Sequence, residues 1–242
     1  MIVQEKFKFG LIGGVGPLTT VPYYMGILNG VQKRSGRAYF PHLSIESLSC
    51  FEVIPMAAAG RFDELTAYFL KGVNNLVAAG ANAAAIACIT GHTVFDELQK
   101  RSPIELIHIL EPTVRDLTKL GAKRIAFIGT EASMNSKVFR EYFQARGIAP
   151  EVPDEKGLRY IAQIIETELE YGIVKDETVK QVQGILEELV SQKRLDAICL
   201  GCTELPLLFK KCTMPVPVID PVPLHIAAIV DLICRKEGFN PI

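Results

Sequence analysis

The chain lacks an excess of either charge: 26 lysines and arginines face 27 aspartates and glutamates, a formal net charge of −1. Bulk electrostatics therefore favour neither a nucleic acid nor an anionic membrane surface as partner, and no basic stripe interleaved with aromatics alters that. No apolar run approaches the ~20 residues of a membrane-spanning helix. The stretch Met1-Ile2-Val3-Gln4-Glu5-Lys6-Phe7-Lys8 lacks the uninterrupted apolar region of a secretory signal, so a cytoplasmic protein is expected. Six cysteines in 242 residues do not make a small disulfide scaffold, and a reducing compartment keeps thiols free. Metal spacing is missing too. No HxxxH occurs, and Cys199-Leu200-Gly201-Cys202 has no second pair to complete a zinc site. Neither a metal nor a cofactor is expected.

What is present is an ordinary globular composition, 49% hydrophobic and 22% charged, long enough to bury a core. Strand-like and helix-like periodicities alternate. Strands are predicted over 7–12, 42–48, 84–88, 104–109, 124–129, 197–202 and 216–220. Helices are predicted over 18–34, 61–79, 92–101, 112–120, 136–146, 158–171, 175–192 and 223–235, with a further one opening near Leu205. No low-complexity linker divides them. The expected fold is α/β: two pseudo-symmetric three-layer α/β/α lobes with mainly parallel sheets and the site in the cleft between them. Residues 1–110 with 221–242 form the expected first lobe and 111–220 the second, the last helix packing back on the first half.

Two of the strands carry the candidate chemistry. Ala84-Ala85-Ile86-Ala87-Cys88-Ile89-Thr90-Gly91-His92 and Ala197-Ile198-Cys199-Leu200-Gly201-Cys202-Thr203-Glu204-Leu205 are short apolar runs, each reaching a Cys with hydroxyl and polar residues within the next few positions. In open α/β sheets, ligands bind just beyond the carboxyl ends of strands. Cys88 and Cys202 would then flank one ligand. For Cys50, Cys199, Cys212 and Cys234 the expectation is burial as small hydrophobes. Gly13-Gly14-Val15-Gly16-Pro17 opens a helix and lets backbone approach a ligand. It departs from a dinucleotide fingerprint in its third glycine and lacks a closing acidic residue, so a carboxylate cradle or a structural turn is the preferred reading. His92 either assists Cys88 or caps and packs, the second being favoured. Glu204 either orients a base or an ammonium group, or is an exposed helix-start carboxylate, again with the second favoured.

Four segments recur together in one known family: Gly10-Leu11-Ile12-Gly13-Gly14-Val15-Gly16-Pro17, Ala87-Cys88-Ile89-Thr90-Gly91-His92, Leu200-Gly201-Cys202-Thr203-Glu204-Leu205-Pro206-Leu207 and Val218-Ile219-Asp220-Pro221. With Gly121-Ala122-Lys123-Arg124-Ile125-Ala126-Phe127-Ile128-Gly129-Thr130, Ser133 and Ser136, they resemble the ordered motifs of the aspartate/glutamate racemase superfamily, nearest its aspartate racemase branch. The resemblance implies a cofactor-independent, homodimeric racemase whose small-molecule substrate is an amino acid. It also implies that Cys88 and Cys202 are its two catalytic bases, one on each face of the α-carbon. Inverting a stereocentre in place needs one group to take the proton and another to return it from the opposite side. Thiols suit this only if tuned below their free pKa of about 8.5, a bias that positions ahead of helix N-termini are expected to provide. Thr90, Thr130, Ser133 and Thr203 are the candidates for binding the carboxylate and stabilising its enediolate-like form, with Gly14 and Glu170 completing the substrate-binding set.

Three positions depart from the family pattern. Ile89 stands where an Asn normally follows the first Cys. Ser47-Leu48-Ser49-Cys50-Phe51-Glu52 contains no Arg for a distal carboxylate, and Glu170 replaces the helical Lys that shares that task. Arg61 and Lys175 are the cations that could substitute. A desolvated carboxylate needs a partner, so the expected substrate is not simply aspartate but a neutral or cationic amino acid. The alternatives are a maleate-isomerase-like enzyme and a non-catalytic amino-acid-binding protein. Retention of both thiols argues against single-thiol decarboxylases.

Overall fold

The computed structural model describes residues 6–239, so residues 1–5 of the N-terminal stretch, and 240–242, lie outside the described residues. Parallel strands cannot be joined by hairpins, because the chain must return along the sheet before each new strand. The first half does so through β1 (Lys8–Gly13), α1 (Pro17–Ser35), β2 (His42–Ser47), α2 (Cys50–Ala58), α3 (Phe62–Ala78), β3 (Ala83–Ile86), a 3₁₀ turn (Thr90–Val94), α4 (Phe95–Arg101) and β4 (Glu105–Ile107). The second continues with α5 (Leu110–Lys119), β5 (Arg124–Gly129), α6 (Glu131–Met134), α7 (Lys137–Gln144), β6 (Ala149–Glu151), α8 (Glu155–Thr167), a 3₁₀ turn (Leu169–Tyr171), α9 (Asp176–Lys193), β7 (Ala197–Gly201), α10 (Leu205–Phe209), β8 (Val218–Ile219) and α11 (Pro221–Lys236).

These strands form two four-stranded sheets of order β2-β1-β3-β4 and β6-β5-β7-β8. Every pairing is parallel. The two orders are equivalent, so β3 and β7 hold matching places next to the first strand of each lobe. Helices cover both faces of each sheet, which is why the central strands read as continuous apolar runs. All positions of β3 and β7 are buried, whereas edge strand β2 is partly exposed along its length.

Tyr23, Ile27 and Val31 of α1 and Ile229 and Ile233 of α11 pack with Phe9 and Leu11 on one face of the first sheet. Val53, Leu65 and Phe69, from α2 and α3, cover the other with Ile12. In the second lobe Leu117, Phe139 and Phe143 pack on Ile125 and Phe127, and Ile161, Ile165, Val182 and Leu186 pack with Ala126 and Ile128. The α/β fold of two three-layer lobes is therefore the observed one. α11 follows the last strand of the second sheet yet lies against α1, where Asp231 pairs with Arg34. No helix among the described residues is long and apolar enough to cross a membrane.

Several boundaries differ from the sequence reading. α2, α6 and β6 are absent from the sequence reading; α2 contains Pro55 and β6 contains Pro150, residues unfavourable to regular structure. Pro150 is tolerated because β6 is an edge strand, paired only with β5. The helix predicted over 158–171 starts earlier, at Glu155, and stops at Thr167. The strands predicted over 104–109 and 216–220 shrink to Glu105–Ile107 and Val218–Ile219, since only residues with a neighbour to pair with enter a sheet. By the same rule the central strands end at Ile86 and Gly201. Both cysteines thus sit beyond the sheets.

Close strand approach at one point fixes the second lobe. A Cβ on Gly129 would lie 2.4 Å from the Gly201 carbonyl oxygen, a backbone atom that cannot step aside, whereas one on the exposed helical Gly184 meets nothing within 4 Å. In denaturant unfolding, Gly129→Ala is expected to destabilise by about 2–3 kcal/mol and Gly184→Ala to stabilise by about 0.5–1 kcal/mol. Equal effects would contradict this packing.

Candidate active site

Matching strand positions bring the two cysteine segments to one crevice. Past β3, the Ala87 amide still donates to the Ile12 carbonyl (2.8 Å), after which Cys88 and Ile89 lead into the 3₁₀ turn. Past β7 come Cys202, Thr203 and Glu204, then α10. Cys88 and Cys202 are 7% and 6% exposed and line the same cavity. Thr90, Thr130, Thr203, Glu204 and Glu170 line it as well, with Val15, Cys50, Ile54 and Ile89 as its less polar wall. The free volume between them is about 20 Å³, room for a water molecule rather than an amino acid. The walls must part to admit a substrate.

Two hydrogen-bond clusters join the lobes beside this cavity. In one, the Thr90 hydroxyl lies 3.2 Å from both the Thr130 and the Ser133 hydroxyls, which bond each other at 3.0 Å. In the other, Thr19 of α1 donates to Glu204 Oε1 (2.8 Å) and to the Thr203 carbonyl (3.2 Å). Glu204 Oε2 accepts from the Thr203 hydroxyl (2.7 Å) and from the Cys202 thiol (3.3 Å). Glu204 is only 2% exposed. This corrects the exposed helix-start reading, and the reason is that Thr19, Thr203 and Cys202 together satisfy the buried carboxylate. The glycine turn makes room for it: Gly16 has φ +94°, and a Cβ there would lie 2.4 Å from Glu204 Oε1.

Burial dominates the electrostatics. It pushes the Cys88 thiol up to about 12; the Gly91 and Thr90 amides pull the other way, while the charges of Glu204 and Glu170 push up again. Cys202 is raised well above its ordinary value by burial first and then by Glu204. The expected lowering by nearby helix starts is therefore overturned, because two amide dipoles do not offset loss of water around a thiolate. Glu170 is pushed up to about 7 by burial, then by Glu204 and Glu166.

His92 takes the structural role. Its Nε2 accepts the Ile109 amide (3.2 Å), so Nδ1 carries the proton and donates to the Cys88 carbonyl (2.8 Å). Burial lowers this ring to about 4, and the neutral imidazole fixes the backbone of Cys88 without touching its sulfur.

Two predicted binding residues stand behind the wall rather than in it. The Gly14 amide donates to Thr20 (2.9 Å), and a Cβ at Gly14 would lie 2.2 Å from the Leu48 carbonyl oxygen, so this glycine serves the turn. Ser133 backs Thr90 and Thr130. Arg61 pairs with Glu64 and Lys175 with Glu168, each at 2.9 Å, and neither lines the cavity. Cys50, expected in the core, is buried but faces the site, and Cys212, expected to be buried, is half-exposed. The sequence signal for Cys50 and Ile54 was hidden with their helix. A larger groove of about 1090 Å³ between α8 and α9 contains no cysteine, histidine, serine or threonine. Among the described residues no group of three His, Cys, Asp or Glu side chains is placed to hold a metal.

This architecture is that of amino-acid racemases. The solved structure of an aspartate racemase homologue from Pyrococcus horikoshii OT3 has 25% sequence identity and a TM-score of 0.76, covering 93% of this chain and 98% of that one. A glutamate racemase from Francisella tularensis subsp. tularensis SCHU S4, solved with D-glutamate, shares the fold at 19% identity and a TM-score of 0.72, over 98% of this chain and 84% of that one. Residues 12–229 match the family described as Asp/Glu/Hydantoin racemase, and the chain belongs to that family. It is also 23% identical over 216 residues to the broad specificity amino-acid racemase RacX of Bacillus subtilis (strain 168), spanning 87% of this chain and 91% of that protein.

Protonated thiols alkylate slowly. Iodoacetamide labelling of Cys88 and Cys202 in the ligand-free protein, followed by peptide mass spectrometry, is expected to rise about tenfold per pH unit from pH 7 to 10, past the plateau of a free cysteine near about 8.5. A plateau below pH 9 at both positions would contradict the burial-dominated account.

Proposed function

We propose that this family member is a cofactor-independent amino-acid racemase in which Cys88 and Cys202 move the α-proton. The observation that carries the reading is the shared cavity, reached by one thiol from each lobe at matching strand ends. In one direction the Cys88 thiolate takes the α-proton, so the C–H bond breaks and an S–H bond forms. The electron pair left on carbon spreads into the carboxylate. Cys202 then gives its thiol proton to the opposite face, leaving thiol at 88 and thiolate at 202, and the other enantiomer runs the sequence in reverse.

The resting site favours this assignment of roles. Cys202 already donates to Glu204, the arrangement of a protonated acid. Backbone amides act on both sulfurs, those of Gly91 and Thr90 on Cys88 and that of Glu204 on Cys202, so the donation from Cys202 to Glu204 is what separates the two thiols. A pKa of about 12 at Cys88 makes its thiolate a stronger base, suited to a very weak carbon acid. The cost is population, about 7 kcal/mol at pH 7. An ammonium group entering beside the sulfur offsets part of that. Thr90 and Thr130 hold the substrate carboxylate in this reading, joined by Thr203 once its hydroxyl turns from Glu204, and these hydroxyls stabilise the enediolate-like form.

A homodimer in the cytoplasm belongs to the same proposal. α1 presents Leu18, Val21 and Met25 to solvent at helical spacing, with Phe51, Tyr171 and Ile173 also exposed, apolar surface of the kind a second copy covers. Light scattering is expected to return twice the 26.6 kDa chain mass; a monomer at micromolar concentration would remove this part.

The chemistry is tested by deuterium wash-in at the α-carbon in heavy water, across acidic, neutral and basic amino acids. Wild-type protein is expected to exchange at least one of them. Cys88→Ser and Cys202→Ser are each expected to lose racemisation by about 10²–10⁴-fold. Exchange with none leaves a binding protein, and full activity in either variant removes the two-thiol mechanism.

A further inference from the structure

We propose that the amino acid turned over here carries a cationic side chain, and that Glu170 receives its far end. The proposal rests on the racemase reading above and names the substrate class for that site.

Charge accounting in the cavity carries it. The charged residues of the lining are Glu170 and Glu204, and no lysine, arginine or histidine is among them. The two cations that could substitute for the missing Arg and Lys are paired outside the lining, Arg61 with Glu64 and Lys175 with Glu168. Every α-amino acid brings one ammonium and one carboxylate, so its head group adds no net charge. The three threonine hydroxyls suit the carboxylate, and the buried Glu204, beside Cys202, suits the ammonium. That leaves Glu170.

Glu170 sits on the 3₁₀ turn after α8 and has no hydrogen-bonding or cationic partner among the described residues. It is not remote from the reacting centre. It lines the same small cavity as Cys50, Cys88 and Cys202, so a group bound to it lies beside the ligand that the thiols would flank. The wall between consists of Val15, Ile54 and Ile89, apolar surface suited to the methylene stem of lysine or arginine rather than to a second carboxylate. An aspartate or glutamate side chain would meet a carboxylate and three aliphatic groups, with no counter-charge for its own desolvation. A lysine or arginine side chain supplies the missing cation in a charge-assisted hydrogen bond.

The groups facing Glu170 also set a pH signature. Glu204, Glu166 and the thiols of Cys50, Cys88 and Cys202 are acidic. Burial first, and then the charges of Glu204 and Glu166, raise the carboxyl to about 7 in the empty site. It is neutral below that pH and charged above it, so preference for a cationic substrate grows as pH rises through about 7.

The test compares lysine, arginine, alanine and aspartate in α-deuterium exchange with wild-type protein, Glu170→Gln and Glu170→Lys. Wild type is expected to exchange lysine or arginine fastest, and the lysine-to-alanine ratio of kcat/KM, which cancels the thiol titration, to rise between pH 6 and 8. Glu170→Gln is expected to cut kcat/KM for lysine about 10- to 100-fold more than for alanine, chiefly through KM, and to flatten that ratio. Glu170→Lys is expected to shift preference toward aspartate. Faster exchange of aspartate than of lysine by wild type, or an equal loss for lysine and alanine in Glu170→Gln, overturns the assignment. If no amino acid exchanges at all, the racemase reading fails separately. Calorimetric titration with lysine and with aspartate then decides specificity: binding of lysine alone supports it, and binding of aspartate or of neither overturns it.

Discussion

Glu204 is a carboxylate withdrawn from water, and such a group persists only where donors surround it. Its donors come from both lobes: Thr19 on α1 from the first, Thr203 and Cys202 from the second. One interaction thereby closes the lobes against each other, keeps Cys202 in its protonated form and excludes any side chain at position 16. The Thr90, Thr130 and Ser133 hydroxyls make a second bridge, but one of neutral groups. The charge of Glu204 reaches Cys88, Cys202 and Glu170 alike. The geometry of the cavity and its electrostatics therefore share a single origin.

Desolvation cuts both ways in this site. It holds the thiols protonated and so lowers the fraction ready to act, yet a thiolate formed there is more basic than one in water. In the proposed reaction, proton abstraction beside a carboxylate needs that basicity. The same dry surroundings would strengthen whatever hydroxyls and amides meet the developing enediolate. The small free volume between the lining residues fits this picture, since water admitted with a substrate would weaken each of these terms.

Much of this was legible in the sequence because both faces of a parallel sheet are buried. Continuous apolar runs at Ala83–Ile86 and Ala197–Gly201 mark central strands, and a Cys followed by polar residues marks where each leaves its sheet. What stayed hidden has physical causes. Pro55 disguised α2, and with it the inward face of Cys50 and Ile54. The burial of Glu204 depends on Thr19, 185 positions away, a contact no local pattern announces. The direction of the thiol shifts is hidden for a related reason: amide dipoles are visible as turns near a Cys, whereas loss of solvent is a property of the assembled lobes. Gly14 and Ser133 carry polar or permissive groups beside the site, but Thr20 and the two threonines already engage them.

The most direct measurement is a crystal structure of the protein with an amino acid bound. The account predicts an α-carbon between the two sulfurs, one on each face and each about 3–3.5 Å from the reacting centre, with its carboxylate on the threonine hydroxyls. A ligand whose α-carbon reaches only one of Cys88 and Cys202, or meets both from the same side, would contradict it.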